Sequence, residues 1–513
     1  MWCAGPSRAP RREPGARSSP GTRPRRCRPW PGCSECRSDP HAAPSPAVTR
    51  ARVYRRGMRR PPSIDRVSAD DLMSLVAEHG STPMQVGAVL LLDTTNGLDP
   101  QSVIEQLGRR VASVPRLRQR LVSVPLGCGR PIWQDDAGFD ISRHVRVVEP
   151  DAAGEEVVLR LAADRLGTPL PRDRPLWAAI LVTEPGAAEA ALIVVFHHVL
   201  TDGIGGLAVL GALADGAVPA DRGPFPRPRP TTRRIAADMA WLRLRAVAEL
   251  PRGVLRLVAA ARQLRGVGHT PVGPAGTARS GRLPRSSLNV PTGPRRRFVS
   301  IRVDLAQALA VARADQATVN DLLLVAIAAA LRRLLEGRGE RLDEVVVSVP
   351  FSARQQTTAG QLGNQSGVIP LRIPTAGDAR SRLRQVSAFT RTARQSVRGA
   401  STALIGPLFR LLARVGLYQR FIEQQRLIHT FTSNLRGPAV PMTIFGAPIT
   451  AILPLSASTG NVTIAFAALS YAGTLAITVV ADPDACPDFD VVPAALAAEF
   501  RALGLDVLRA GAG

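Results

Sequence analysis

Two adjacent histidines followed at fixed spacing by an aspartate and a glycine, His197-His198-Val199-Leu200-Thr201-Asp202-Gly203, are the residues whose types and spacing could do chemistry. With only 7 histidines in 513 residues, a chance His-His-x-x-x-Asp-Gly match is on the order of one in a few thousand. A neutral imidazole is suited to take a proton from an alcohol as that alcohol attacks a carbonyl near pH 7. If the carbonyl belongs to a thioester, the thiolate is already a good leaving group and no covalent enzyme intermediate is needed. A base, an oxyanion stabiliser and proximity then suffice. Neighbouring side chains on a strand face opposite ways, so only one of the two histidines can face the reacting groups. The same alternation argues against a shared metal, and no acid or cysteine completes a ligand set at proper spacing. A satisfied pair of core histidines is the competing structural reading, and the Asp-Gly after a strand end disfavours it.

These side chains need elements to hold them. Ala191–Phe196 reads as a strand running into the motif, and Leu176–Thr183 as its antiparallel partner across the turn-rich Glu184-Pro-Gly-Ala. An apolar helix is expected from about Ile204 to Ala214, so the motif sits where a core strand ends and a helix begins. Upstream, Ser68-Ala-Asp-Asp opens a capped helix, Val86–Leu92 reads as a buried strand and Pro100–Val111 as a helix. Phe139–Val148 is strand-like and Glu155–Leu166 an amphipathic helix. Downstream, Phe298–Val303 alternates as a strand does, and Thr318-Val-Asn320-Asp321 opens a strongly apolar, buried helix. Glu344–Pro350 is a buried strand leading to Phe-Ser-Ala-Arg354; Val462–Leu469 and Leu475–Val480 form a hairpin; Val491–Leu503 closes with a helix. Without a regular βαβ rhythm, the fold class expected is α/β of the mixed α+β kind, not a doubly wound parallel sheet.

A chain of 513 residues calls for two domains plus appendages, and 45% apolar content provides the cores. The formal charge of +25 invites a nucleic-acid reading. All 66 basic residues are arginine, a pattern of GC-rich coding. Residues 1–60 hold 15 arginines against 3 acids, in a Pro/Arg/Ser/Gly tract that reads as disordered. Met58 reads as the true start, which would make residues 1–57 an over-extended gene model. Aromatics are 4% and no recognisable module is present, so nucleic acid is not expected as a partner. The arginine surplus suits acidic lipid headgroups or phosphates instead. Cys33-Ser-Glu-Cys36 with His41 has metal-like spacing, but a single pair in low-complexity sequence reads as incidental; isolated Cys128 and Cys486 suit a reducing compartment. No apolar run reaches the 18 or so residues of a membrane span. Residues 216–290 read as a crossover linker, where the arginine-rich Ile235–Leu264 either lies on a membrane interface or packs across the domain boundary.

The motif and its surroundings resemble the bacterial wax ester synthase/diacylglycerol acyltransferase family, within the chloramphenicol-acetyltransferase-like superfamily that includes peptide-synthetase condensation domains. The likeness covers roughly residues 63–507. It runs through Ser68-Ala-Asp-Asp71, Ser81-Thr-Pro-Met-Gln-Val-Gly87, Arg174-Pro-Leu-Trp177, Leu288-Asn-Val-Pro-Thr-Gly-Pro-Arg295 and Thr318-Val-Asn320-Asp321. It continues through Leu362-Gly363-Asn364, Ser433-Asn434-Leu-Arg-Gly437-Pro438 and Leu469-Ser-Tyr-Ala-Gly473. The resemblance implies two chloramphenicol-acetyltransferase-like domains, residues 61–215 and 291–513, around a central tunnel. It implies His198 as general base and His197 as support for the loop. Asp202 would turn away from the tunnel and hold the loop through an arginine, for which Arg354 is the candidate. Gly203 would leave room for an acyl chain or pantetheine arm. Asn320 and Asp321 would lie near the alcohol site, with a helix N-cap pair as the alternative. Acyl-CoA would be a co-substrate, with no cofactor or metal, and the acceptor diacylglycerol or a long-chain alcohol. The place of work would be cytoplasmic, peripheral to the inner membrane or lipid droplets. Rival readings are a carrier-protein-dependent acyltransferase and a lipid-droplet protein without turnover. Two departures stand out: Gln85 where the family has His, and Pro441-Met-Thr443 where it has a Pro-Leu-Tyr-like element.

Overall fold

In a computed structural model, the structure describes residues 64–78, 82–184, 186–218, 224–266, 283–352, 366–396, 409, 411–413 and 415–510. Arg354, Leu362-Gly363-Asn364 and the tail at 1–60 lie outside the described residues.

The apolar runs of the first half build a sheet whose helices are fixed by their caps. Helix α1 (Ala69–Ala77) starts at Ser68, whose hydroxyl accepts the Asp71 N–H while the Asp71 carboxylate accepts the Ser68 N–H. Strand β1 (Gln85–Asp93) follows, then α2 (Pro100–Val111), capped by Asp99 with Pro100 in the first turn. Next come a small hairpin of β2 (Gln119–Val122) and β3 (Ile132–Asp135), then β4 (Val145–Val148), α3 (Glu155–Gly167), β5 (Trp177–Val182), β6 (Glu189–His197), α4 (Gly203–Leu213) and α5 (Thr232–Gly266). The stretch 139–148, expected as one strand, is a strand only in its last four residues. Asp140 accepts the Ser142 N–H at 2.9 Å and sets a helical turn over Ile141–Arg143.

The second half contributes β7 (Arg297–Asp304), α6 (Leu305–Ala314), α7 (Val319–Gly337), β8 (Glu344–Ser352), β9 (Ser366–Pro374), α8 (Ala379–Ser396) and α9 (Tyr418–Glu423). It ends with β10 (Thr430–Arg436), β11 (Thr443–Ile444), β12 (Ala447–Leu455), β13 (Ile464–Tyr471), β14 (Thr474–Ala481), α10 (Val491–Ala502) and β15 (Val507–Ala510). A seven-stranded sheet runs β15-β7-β14-β13-β10-β8-β9, parallel where β10 meets β13 and β8 and antiparallel elsewhere. Helix α7 is apolar on every side, and it is accordingly buried from Asp321 to Leu331 in the core beneath this sheet. The Ala472-Gly473 turn between β13 and β14 has positive φ at both residues, the hairpin geometry whose twist matches its strands.

The six-stranded sheet runs β11-β12-β1-β6-β5-β4, so its first two strands come from the far end of the chain. Residues 443–455 leave the second half, pair with β1, and return at β13. Across the division expected at 61–215 and 291–513, one strand pair is thus exchanged between the halves. Helix α3 lies between the sheets, sharing a core with Val89 and Ile193 of one and Phe298 and Val480 of the other. Its Glu155 receives the Ser300 hydroxyl and the Arg302 guanidinium of β7.

Asp215 holds the exchanged hairpin. Phe445 and Gly446 turn with φ of 58° and 80°, and their N–H groups donate to the two Asp215 carboxylate oxygens at 3.1 and 2.9 Å. Arg110 of α2 pairs with the same carboxylate at 2.5 Å and lies 5.0 Å from the centre of the Phe445 ring. Asp215→Ala would leave two backbone donors without their acceptor and remove the Arg110 ion pair, and a loss of roughly 1–3 kcal/mol is expected; urea denaturation of parent and variant checks it.

Candidate active site

The histidine pair stands where β6 runs out. His197 pairs with Gln85 across β1, and the His198 N–H still donates to the Met84 carbonyl at 2.8 Å. The His197 carbonyl then accepts the Leu200 N–H at 2.8 Å, which closes a turn. Asp202 takes up the chain as the N-cap of α4, its Oδ1 accepting the Gly205 N–H at 2.9 Å. Strand, turn and cap thus fix this segment on both sides.

The two rings differ in their surroundings. His197 is 1% exposed. Its Nδ1 accepts the Val199 N–H at 2.9 Å, so that nitrogen carries no proton. The proton is on Nε2, which donates to Glu78 Oε2 at 3.2 Å, and Arg172 pairs with the same oxygen. Burial pushes the Glu78 carboxyl up, but the His197 and Arg172 contacts outweigh it and leave the group below its ordinary range. Glu78 is therefore an anion at neutral pH. With one ring nitrogen accepting from the backbone and the other donating to a carboxylate, His197 is a fastening and has no lone pair left for a reacting proton. His198 is partly exposed as a residue, with its Nδ1 buried.

The remaining predicted residues divide. Asp202 is buried and acts as a helix cap; Arg354, its expected partner, is outside the described residues. At Gly203 a Cβ would come within 2.7 Å of Leu435 Cδ1, so the start of α4 is pressed against β10 of the second half. Gly203, expected to leave room for an acyl chain or pantetheine arm, is exposed, and Leu435 borders it on one side. Asp321 is buried, with Oδ2 accepting the N–H and hydroxyl of Thr318 and Oδ1 the Thr390 hydroxyl, each at 2.8 Å. The helix-cap alternative thus accounts for Asp321, and Asn320 stands beside it on the first turn of α7, partly exposed.

The departures from the family pattern have local reasons. The Gln85 amide donates to the Leu166 and Thr168 carbonyls, both at 2.8 Å, and ties β1 to the end of α3. Two donors from one nitrogen are available to an amide and not to an imidazole nitrogen. The Met442 N–H donates to the Tyr471 hydroxyl at 2.7 Å, and that hydroxyl donates to the Ile449 carbonyl at 3.1 Å. Pro441-Met-Thr443 therefore leads into the exchanged hairpin. Sequence reasoning missed Glu78, Arg172 and Leu435, because no local spacing connects any of them to the motif.

Two substitutions probe this scaffold. Glu78→Ala strands the buried His197 N–H, and a cost of about 1–3 kcal/mol is expected, with Glu78→Gln recovering most of it by restoring an acceptor. Because the Glu78 pKa is lowered by folding, its contribution is complete above the ordinary carboxylate range and is lost as the pH falls below it; thermal denaturation at several pH values reads both effects. Gly203→Ala sets the new methyl against the end of the Leu435 side chain, which can turn aside, and a loss of at most about 1 kcal/mol is expected. Leu435→Ala in the same chain should relieve part of that loss in a double-mutant cycle.

Residues 67–323 match the family model of the wax ester synthase/diacylglycerol acyltransferase catalytic domain, and residues 362–504 that of its C-terminal domain. A probable diacylglycerol O-acyltransferase of Mycobacterium tuberculosis is 28% identical over 415 residues, which cover 79% of this chain and 88% of that protein. Another from the same organism is 33% identical over 255 residues, 47% of this chain and 93% of its own length. Among solved structures, the wax ester synthase/diacylglycerol acyltransferase from Marinobacter aquaeolei VT8 shares the fold with a TM-score of 0.60 at 20% identity, over 86% of this chain and 100% of that one. A mutant starter condensation domain of rhizomide synthetase, in complex with C8-CoA, gives 0.54 at 15% identity over 87% and 98%. The mixed α/β architecture is thus that of the condensation-domain folds. On the match to both of its family models, this chain is an acyltransferase and belongs to the wax ester synthase/diacylglycerol acyltransferase family.

Proposed function

We propose that the chain transfers a fatty acyl group from acyl-CoA to the free hydroxyl of diacylglycerol, forming triacylglycerol, with His198 as the general base. Long-chain alcohols are a second class of acceptor and would give wax esters. The observation that carries this reading is the contrast at the strand end. The His197 ring is buried with both nitrogens engaged by the scaffold, while His198 is a partly exposed residue, its Nδ1 turned inward, in the segment where the two halves meet through Gly203 and Leu435. The mycobacterial relatives, named as probable diacylglycerol O-acyltransferases, favour diacylglycerol as acceptor.

The chemistry is a single displacement. The imidazole takes the hydroxyl proton as the oxygen attacks the thioester carbon, and a C–O bond forms. Collapse of the tetrahedral intermediate breaks the C–S bond, and the imidazolium returns its proton to the departing thiolate. The thioester supplies the driving force, so no cofactor takes part. Arginine suits the CoA phosphates because its guanidinium matches their geometry. The acceptor dissolves in lipid, so the enzyme works in peripheral contact with a membrane or droplet surface on the cytoplasmic side. Among the described residues no helix is long and apolar enough to cross a membrane.

His198→Ala should retain the fold by circular dichroism and lose roughly a hundredfold to ten-thousandfold in kcat; full activity in the purified variant would end this mechanism. Labelled palmitoyl-CoA offered with diacylglycerol, hexadecanol and glycerol side by side identifies the acceptor. Activity with an acyl-carrier protein and none with acyl-CoA would reassign the donor, and lipid binding without turnover would remove catalysis.

A further inference from the structure

Along its first three turns, helix α5 is applied to the protein by one face. Ile235 is buried against Cys128 and Ile132. Arg66 donates to the Ile235 carbonyl at 3.0 Å and pairs with Asp238 at 2.8 Å. Met239 packs on Gly129, where a Cβ would approach its sulfur to 2.5 Å, and Arg243 donates to the Gly127 carbonyl at 2.8 Å. At about 100° per residue these positions share one side of the helix. The opposite side carries Ala237, Ala240, Trp241, Leu244 and Val247.

That side is apolar and faces solvent. Trp241 is 44% exposed, Leu244 71% and Val247 63%. An amphipathic helix on a globular protein normally turns its apolar stripe inward, and here the larger apolar stripe looks outward. The helix also holds eight arginines against two acids, and both acids are paired, Asp238 with Arg66 and Glu249 with Arg245. A second copy of this face would bring two positive surfaces together. An anionic bilayer or droplet surface meets both properties, accepting apolar side chains below the headgroups and arginines among them.

We propose that the outward face of α5 is an anionic-lipid-binding surface that seats the enzyme on the phase holding its acceptor. The acceptor's location rests on the function proposed above; the surface itself rests on exposure and charge.

The test is flotation of the full chain with vesicles of phosphatidylcholine alone and of phosphatidylcholine mixed with phosphatidylglycerol. Binding to the mixed vesicles is expected, weaker on phosphatidylcholine alone and weaker again at high salt. The double variant Leu244→Glu/Val247→Glu should bind about tenfold less or weaker, while turning over a short-chain acyl-CoA and a water-soluble alcohol at the parent rate. Equal flotation of variant and parent, or no flotation of the parent, overturns the proposal. So does a parent dimer that the double variant converts to a monomer in sedimentation velocity, which would make this face a subunit contact. Flotation lost in the variant while neither protein turns over any substrate supports the lipid surface and removes the catalytic reading instead.

Discussion

The arrangement of the histidine pair depends on β1 being paired along both edges. On one side it runs antiparallel to β6, from Gln85 opposite His197 to Asp93 opposite Glu189. On the other it receives β12, from Gly87 opposite Leu455 to Leu92 opposite Ile449. The Met84 carbonyl, one residue before β1, takes the His198 N–H. A strand held on one edge only would let that carbonyl shift, and the backbone of His198 with it. The end of the first half that carries the histidine pair is thereby braced by a segment of the second.

Electrostatics then separates two chemically identical side chains. Glu78 is kept ionised by His197 and Arg172, and its charge holds the His197 proton on Nε2. The Val199 amide claims the remaining lone pair. Such a ring is worth more as a bracket than as a base, because its protonation would cost the backbone hydrogen bond. Asp202 fixes the chain on the other side of the pair by capping α4. Glu78, Arg172, His197 and Asp202 thus all serve to fix the backbone on either side of His198.

Much of this was legible from residue patterns. The two strands feeding the motif, the following helix, the apolar helix α7 and the β13–β14 hairpin all have strong local signals, and each lies within a few residues of its expected bounds. The exchange of β12 was not legible. Its sequence, Ala447-Pro-Ile-Thr-Ala-Ile-Leu-Pro-Leu, carries two prolines, which argue against a central strand. Pro454 lies beyond the two residues that β11 covers, and Pro448 lies beyond the Ile449–Leu92 end of the pairing with β1. Strand β9, with Pro370 and Pro374, is an edge strand. At the site, periodicity located the histidines but was silent on Glu78 and Leu435, since contacts between distant segments leave no mark in local spacing. It left open which side α5 presents to the protein, because a helix with Ala, Leu and Arg on most faces does not declare its inner one.

The route of residues 443–455 also governs the order in which the molecule can be completed. A ribosome delivers β1 hundreds of residues before its neighbour β12, so the first sheet emerges with one long apolar edge uncovered. Closing it requires a loop spanning most of the chain, a slow step in any fold dominated by distant pairings. Until that closure, Ala88 to Leu92 present unpaired amides and carbonyls able to recruit a foreign strand. The nascent protein therefore carries its greatest aggregation hazard midway through synthesis, and a fragment ending before residue 443 would keep it permanently.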